Sequence, residues 1–166
     1  MKSTQLRALF SFLTKKAPVV VVVFAAAVIG GALALRSTPQ SVSVIDPNDR
    51  QLVALGQAVY TRACASCHGA NLEGQPNWQE RRDDGKLPAP PHDAAGHTWH
   101  HSDDVLFRIT RDGLGAFALK GYATEMPTFA GVLSDAEIRA SLAFIKSRWP
   151  ASIRGRQAEM TKAAQR

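Results

Sequence analysis

Only two cysteines occur in this 166-residue chain, three positions apart, as Cys64 and Cys67, and His68 follows the second directly. A disulfide framework that holds a small fold together needs several well-separated cysteine pairs, so this spacing argues against one. The two thiols and the neighbouring imidazole are better interpreted as one local chemical unit. The fold therefore has to accommodate whatever this unit binds.

The segment Cys64-Ala65-Ser66-Cys67-His68 has the C-x-x-C-H pattern of covalent haem attachment. In that pattern the two thiols add to the haem vinyl groups, and the adjacent imidazole binds the iron. Covalent attachment prevents loss of the haem from a domain of about a hundred residues, whose apolar core is small. The sequence predicts one haem c, held through Cys64 and Cys67 with His68 as an axial iron ligand.

A low-spin electron-transfer haem needs a sixth ligand, and a thioether favours ferrous iron. Of the three methionines, Met1 lies before an uncharged stretch at residues 17–35, which is a predicted membrane segment. Met160 lies in the polar C-terminal residues 150–166. Met126 precedes Pro127, which restricts it to an extended backbone in a loop between two predicted helices. We therefore predict Met126 as the second axial ligand, the alternative being a methionine that fills a gap in the core.

Several residues between the two predicted ligands are candidate contacts of the haem pocket. A backbone carbonyl is expected to accept a hydrogen bond from the second ring nitrogen of His68, as is usual for metal-bound histidines. The candidate acceptors belong to Pro88, Pro90 and Pro91. Trp99 and His100 are candidate donors to the haem propionates. For both groups the alternative is an ordinary solvated loop.

A zinc site is the competing hypothesis for the cysteine pair. Both cysteines with His97 and either His100 or His101 would give a Cys2His2 ligand set. That arrangement leaves the histidine of the C-x-x-C-H pattern without a role. A thioredoxin-like redox site is disfavoured because the sequence lacks a βαβ pattern.

Residues 17–35 form an uncharged stretch of 19 residues, preceded by Lys15 and Lys16 and followed by Arg36. As a helix this stretch spans roughly 30 Å, enough to cross a bilayer. The preceding cations favour a cytoplasmic location for residues 1–16, so the chain after Arg36 is expected on the other side of the membrane. We expect a retained anchor, and the alternative is a signal peptide cleaved near Ala32-Leu33-Ala34, which leaves a soluble periplasmic protein.

The charge distribution disfavours nucleic-acid binding. The chain carries 20 Lys and Arg against 14 Asp and Glu, but four of the cations precede the uncharged stretch. From Arg36 onward the excess is only +2, and the sequence has no basic stripe with interleaved aromatic residues. Nucleic acid is therefore not an expected partner.

The exported part divides into a linker (36–50), a compact domain (51–149) and a polar C-terminal tail (150–166). In the linker, Asp46 is expected to cap a helix that starts near Pro47 and leads directly into Cys64. The tail is expected to form either a surface helix or a frayed end.

Two further helices are expected in the domain. One is short, capped by Ser102 and ended by Gly113. The other begins at a capping box, Ser134 with Glu137, and carries an apolar face that extends to Trp149 before Pro150. The sequence thus predicts an all-α domain of about four short helices, together with the transmembrane helix.

Together these motifs resemble class I c-type cytochromes, and in particular membrane-anchored, single-haem bacterial members. The resemblance rests on Gly56-x-x-x-Tyr60, the C-x-x-C-H motif, the proline-rich stretch, Met126-Pro127 and the closing amphipathic helix. It implies a cytochrome c fold in which Gly56 lets the first helix cross the last closely. It also implies that Tyr60 packs near Leu142, Phe144 or Ile145.

The resemblance further implies a function. The expected role is one-electron transfer between redox partner proteins at the outer face of the bacterial inner membrane, and not enzymatic catalysis. The expected partners are a respiratory complex, a dehydrogenase or an oxidase. Two alternatives stay open, namely a fixed haem subunit of such a complex and a haem-based sensor of gas or peroxide.

Overall fold

The computed structural model describes residues 44–118 and 122–166. Over these ranges the chain forms five α-helices and two short 3-10 helices, and no β-strand beyond a single bridge between Ala130 and Leu133. The α-helices are α1 (Arg50–Ala63), α2 (Ala65–His68), α3 (Asp103–Asp112), α4 (Asp135–Ser147) and α5 (Ala151–Ala164); the 3-10 helices are Thr98–His100 and Leu114–Ala116. The prediction of an all-α domain is confirmed for this part of the chain.

Helix α1 is capped by Asp49, so the prediction that Asp46 caps it was wrong. The Asp49 carboxylate accepts hydrogen bonds from two backbone N–H groups of the first helical turn, both at 3.0 Å. Asp46 instead accepts from the backbone N–H of Asn48 at 2.8 Å, which closes a turn before the helix. As predicted, α1 ends at Ala63 and leads directly into Cys64.

Helices α1 and α4 cross at Gly56. A Cβ placed on Gly56 would lie 1.9 Å from the backbone oxygen of Ala140, so only glycine permits this approach. One turn further on, the ring centroid of Tyr60 lies 5.3 Å from that of Phe144. The crossing and the packing of Tyr60 expected from the family resemblance are therefore confirmed. The buried apolar residues around the crossing include Val59, Leu106, Ile138, Leu142 and Ile145.

The predicted caps of α3 and α4 are confirmed. Ser102 caps α3 through its side chain, and Gly113 follows the last residue of that helix. At the start of α4, Ser134 and Glu137 form a reciprocal capping box. These caps depend on residues within four positions of each other, which is why the sequence alone could predict them.

Trp149 lies outside α4, contrary to the prediction that it extends the apolar face of that helix. Helix α4 ends at Ser147, because Pro150 disfavours helical backbone at the residue before it. Trp149 is nevertheless buried, and its indole N–H donates a hydrogen bond to the carbonyl of His92 at 2.7 Å. The Trp149 side chain thus attaches the chain after α4 to His92, which follows residues 88–91.

The C-terminal residues form a helix, α5, which packs on the domain through a buried polar cluster. The carboxylate of Asp103 is fully buried and pairs with Lys146 at 2.6 Å. The same carboxylate accepts hydrogen bonds from Gln157 at 2.7 Å and from the backbone N–H of Ile45 at 2.8 Å. Thr161 accepts a hydrogen bond from the backbone N–H of Asp103. This cluster fixes α5 and the chain just before α1 to the rest of the domain.

The predicted membrane segment, residues 17–35, lies outside the described residues. Among the helices in the described ranges, none combines the length and the apolar character needed to span a bilayer.

Candidate functional site

A helix of a single turn carries the C-x-x-C-H segment. The carbonyl of Cys64 accepts a hydrogen bond from the backbone N–H of His68 at 3.0 Å, so the chain turns directly from α1 into α2. Gly69 ends α2 with a φ of +83°, a conformation that residues with a side chain rarely adopt. Cys64, Cys67 and His68 are thereby placed within one helical turn.

The two cysteines lie in different surroundings. Cys64 is partly buried, whereas Cys67 is exposed. Burial raises the pKa of the Cys64 thiol to about 11, with a further contribution from Cys67 and a smaller opposing one from Arg62. Cys64 therefore packs against the domain, and Cys67 is accessible from solvent.

The imidazole of His68 is buried, and its Nδ1 lies 2.9 Å from the carbonyl oxygen of Pro90, which accepts a hydrogen bond from it. A carbonyl can only accept, so Nδ1 carries the proton and Nε2 keeps its lone pair. Burial lowers the pKa of His68, and the bond to Pro90 opposes this only in part. The imidazole is therefore neutral at neutral pH, which is the form that binds a metal.

The acceptor carbonyl lies in residues 88–91, which the neighbouring chain holds tightly. Gln75 pairs with Ala89 through two hydrogen bonds of 2.9 Å, one from its backbone N–H and one to its side-chain oxygen. A Cβ on Gly74 would lie 2.5 Å from the nitrogen of Pro91, and one on Gly96 would lie 2.0 Å from its oxygen. The proline-rich segment is thus clamped between two glycines, so the carbonyl beside His68 has a fixed position.

His92 is the site residue that sequence reasoning missed. Its ring stacks on that of His68, with centroids 3.9 Å apart and an interplanar angle of 21°. Thr98 lies 2.8 Å from its Nδ1. Burial holds the pKa of His92 well below its ordinary value, and the charges of His68 and His97 add to the effect. The only sequence signal was its place two residues after Pro90, which did not separate it from the other histidines.

Trp99 and His100 lie together, with ring centroids 3.7 Å apart. Trp99 packs against the core, and His100 is exposed. The buried indole Nε1 of Trp99 has no hydrogen-bond partner among the described residues. A buried donor without a partner is costly, which indicates that it serves a group outside the protein chain.

The histidines of the alternative zinc site contact aromatic rings and each other. His97 stacks on Trp78, with centroids 5.5 Å apart, and contacts His101 edge to face. Within residues 44–118 and 122–166, no three His, Cys, Asp or Glu side chains form a group suited to hold a metal ion.

Met126 lies in an irregular segment between the second 3-10 helix and α4. Its side chain is partly buried and packs against the core. Its backbone N–H donates to the hydroxyl of Thr124 at 3.0 Å. Farther along, the backbone N–H of Phe129 reaches the carbonyls at the end of α3, including that of Arg111 at 3.1 Å. The chain after Met126 is therefore attached to α3.

Comparison with known sequences identifies a family. The sequence model of the cytochrome c family matches residues 53–149, more than half of the chain. The matched region starts within α1 and ends at Trp149, so α5 lies beyond it. It includes both cysteines, His68 and Met126.

Curated relatives match over shorter stretches. The cytochrome c subunit of the cytochrome bc1 complex of Mycobacterium tuberculosis (strain ATCC 25618 / H37Rv) is 34% identical over 58 residues, which are 35% of this chain and 21% of that protein. The corresponding Mycobacterium leprae (strain TN) subunit is 44% identical over 48 residues, 29% of this chain and 16% of that protein. The matches thus span about a fifth or less of these relatives. No solved structure matches the chain significantly.

Proposed function

We propose, because this chain belongs to the cytochrome c family, that Cys64 and Cys67 hold its haem and that His68 and Met126 bind the iron. The protein is a haem c electron carrier and not an enzyme. Haem c supplies a reversible one-electron couple. The rest of the proposal concerns what the residues of this chain do for that couple.

The observation that carries the ligand proposal is the contact between His68 and Pro90. The carbonyl oxygen of Pro90 lies 2.9 Å from Nδ1 of His68, so the proton stays on Nδ1 and Nε2 is left for the iron. Because residues 88–91 are clamped by glycines, the ring keeps its orientation through changes of iron charge. His92, stacked on the same ring, excludes water from one side of it.

The unpartnered indole of Trp99 supports a haem in this site. Among the described residues, its Nε1 is a buried donor without an acceptor, and a haem propionate is an acceptor. We therefore propose Trp99 as a propionate donor. His100, stacked against it and exposed, is proposed as a second polar contact at the edge of the pocket.

Met126 is proposed as the sixth ligand because its thioether lies in a partly buried loop that packs on the core. A thioether stabilises ferrous iron relative to a second imidazole and so raises the reduction potential. With both axial positions filled, no position is left for a substrate. This favours electron transfer over binding of a gas or peroxide.

The location and partners are proposed from the sequence and the relatives. An uncharged segment at 17–35 behind a basic N-terminus supports a single-pass anchor that places the domain, 51–149, in the periplasm. The relatives named as cytochrome bc1 complex subunits support a respiratory complex as the redox partner. Co-purification with such a complex distinguishes a fixed subunit from a transient partner.

The test is a potentiometric titration of the full chain, expressed with the cytochrome c maturation machinery and followed by its optical spectrum. We expect one reversible one-electron wave with sharp α and β bands in the reduced state. We also expect the haem to fractionate with membranes and to resist salt extraction. A spectrum that stays high-spin in both oxidation states would overturn the ligand proposal, and haem in the soluble periplasmic fraction would overturn the anchor.

A further inference from the structure

The residue before Met126 joins two distant parts of the chain. The Glu125 carboxylate accepts hydrogen bonds through both of its oxygens, one from Arg82 at 2.5 Å and the other from Lys86 at 3.3 Å. Both cations belong to the long segment between His68 and the proline-rich residues. The loop that carries Met126 is thus tied directly to the loop that leads to Pro90.

The two cations are brought together by a tight turn, residues 81–86, which we call the clamp turn. Arg82 and Lys86 are joined by a backbone hydrogen bond of 2.9 Å, and Gly85 occupies the turn with a φ of +79°. Arg81 donates to the carbonyl of Gly85 at 2.6 Å and stacks over the ring of Tyr122 at 5.4 Å. The clamp turn therefore contacts the Met126 loop at two points, Tyr122 and Glu125.

These ion pairs matter because the loop around Met126 has no regular secondary structure. Residues 122–129 form no helix or strand, so no backbone ladder fixes Met126. An isolated exposed ion pair stabilises a protein weakly, but here both carboxylate oxygens are engaged next to the residue in question. A movement of the Met126 backbone away from the core would carry Glu125 with it and stretch these contacts.

We infer that the ion pairs of Arg82 and Lys86 with Glu125 hold Met126 in position as an iron ligand and slow its dissociation. Arg82, Lys86 and Glu125 are positioning residues, since they act through Met126. This inference rests on the proposed function, because it takes Met126 to be the sixth ligand.

The test is displacement of the thioether from the ferric protein by imidazole, at a pH where imidazole is uncharged. At saturating imidazole the observed rate is limited by dissociation of Met126, which is followed by loss of the thioether-to-iron charge-transfer band. We expect this rate to rise about threefold to tenfold in the Arg82→Gln, Lys86→Gln double variant. High salt is expected to bring the dissociation rates of the wild type and the double variant closer together, because it screens ion pairs at the surface.

Three further variants separate positioning from a general change in charge or stability. Arg111→Gln removes a cation that is as exposed as Arg82 but forms its ion pair with its neighbour Asp112. The substitution keeps the backbone carbonyl that anchors Phe129, so Met126 should dissociate at the wild-type rate. Glu125→Gln should reproduce the faster rate, and the two cation substitutions should add nothing in that background. Arg82→Lys, which keeps the positive charge, should leave the dissociation rate of Met126 close to that of the wild type.

The outcomes also distinguish this inference from the proposed function. If Met126→Ala retains an unaltered low-spin spectrum, Met126 is not the ligand and the proposed function fails. If Met126→Ala opens the iron but the double variant dissociates at the wild-type rate, the proposed ligand stands and the positioning role is overturned. Equal acceleration by Arg111→Gln would also overturn it.

Discussion

The carbonyl oxygen of Pro90 accepts a hydrogen bond from Nδ1 of His68 at 2.9 Å. This bond assigns the proton to one ring nitrogen and leaves the other free to bind iron. It joins residues 22 positions apart, and the glycines at 74 and 96 allow the approach by leaving room for the backbone around Pro91. The backbone carbonyl of Pro90 thus orients the His68 ring through a contact within the chain itself.

Met126→Ala should leave the haem covalently attached but open its sixth coordination position. The variant should bind carbon monoxide in the ferrous state far faster than the wild type, because no thioether has to leave first. Stopped-flow mixing with carbon monoxide measures this. Met160→Ala is the matched control, since Met160 lies in α5, beyond the matched family region, and its loss should leave the rate unchanged.

Gly56→Ala should destabilise the domain by about 2 kcal/mol or more. The added Cβ would lie 1.9 Å from a backbone oxygen of α4, so the helices have to separate. The gain in helix propensity, at most about 1 kcal/mol, does not offset this. Urea unfolding of the haem protein provides the measurement.

Gly155→Ala in α5 is the control for this substitution. A Cβ there meets no atom within 4 Å, so the change should stabilise the protein by up to about 1 kcal/mol. If the two substitutions changed stability by the same amount, the close crossing at Gly56 would not be the cause.

Lys146→Met should cost about 3–5 kcal/mol of stability. It removes the cation from a buried ion pair with Asp103, and a buried carboxylate is left with only neutral donors. Thermal or urea unfolding measures the loss. Lys162→Met, at an exposed position of α5, should change stability by no more than about 0.5 kcal/mol. A small effect at Lys146 would show that the neutral donors alone satisfy the carboxylate.

The capping box of α4 should make stability fall in acid. The backbone N–H of Ser134, its hydroxyl and Arg62 hold the pKa of Glu137 below its ordinary value of 4.5. The stabilisation from ionised Glu137 is therefore complete above pH 4.5 and is lost as the pH falls through the lower folded-state pKa. Glu137→Gln should be less stable than the wild type at neutral pH, and the gap should close in acid. A gap independent of pH would rule out this contribution.

Local sequence patterns predicted the helices better than the contacts between them. The caps at Ser102 and Ser134 were predictable because each depends on residues a few positions away. The cap of α1 was misassigned because Asp46 and Asp49 both suit the role and differ only in how the preceding turn folds. Trp149 was misplaced because the apolar period continues two residues beyond Ser147, where the helix ends.

The contacts that sequence reasoning missed join distant residues. His92 stacks on a residue 24 positions earlier, and Asp103 meets Lys146 43 positions away. No local pattern marks either pair, because burial and the path of the loops decide them. Cys64, Cys67 and His68, in contrast, could be proposed from the sequence because haem attachment requires fixed residue types at fixed spacing. Met126 was proposed by elimination among the three methionines.

The most direct test of the account is a denaturing gel of the full chain stained for haem, after expression with the cytochrome c maturation machinery. We expect haem on the denatured wild-type band and none on that of the Cys64→Ala, Cys67→Ala double variant. Haem lost from the wild type on denaturation, or retained by the double variant, would contradict covalent attachment through these two cysteines.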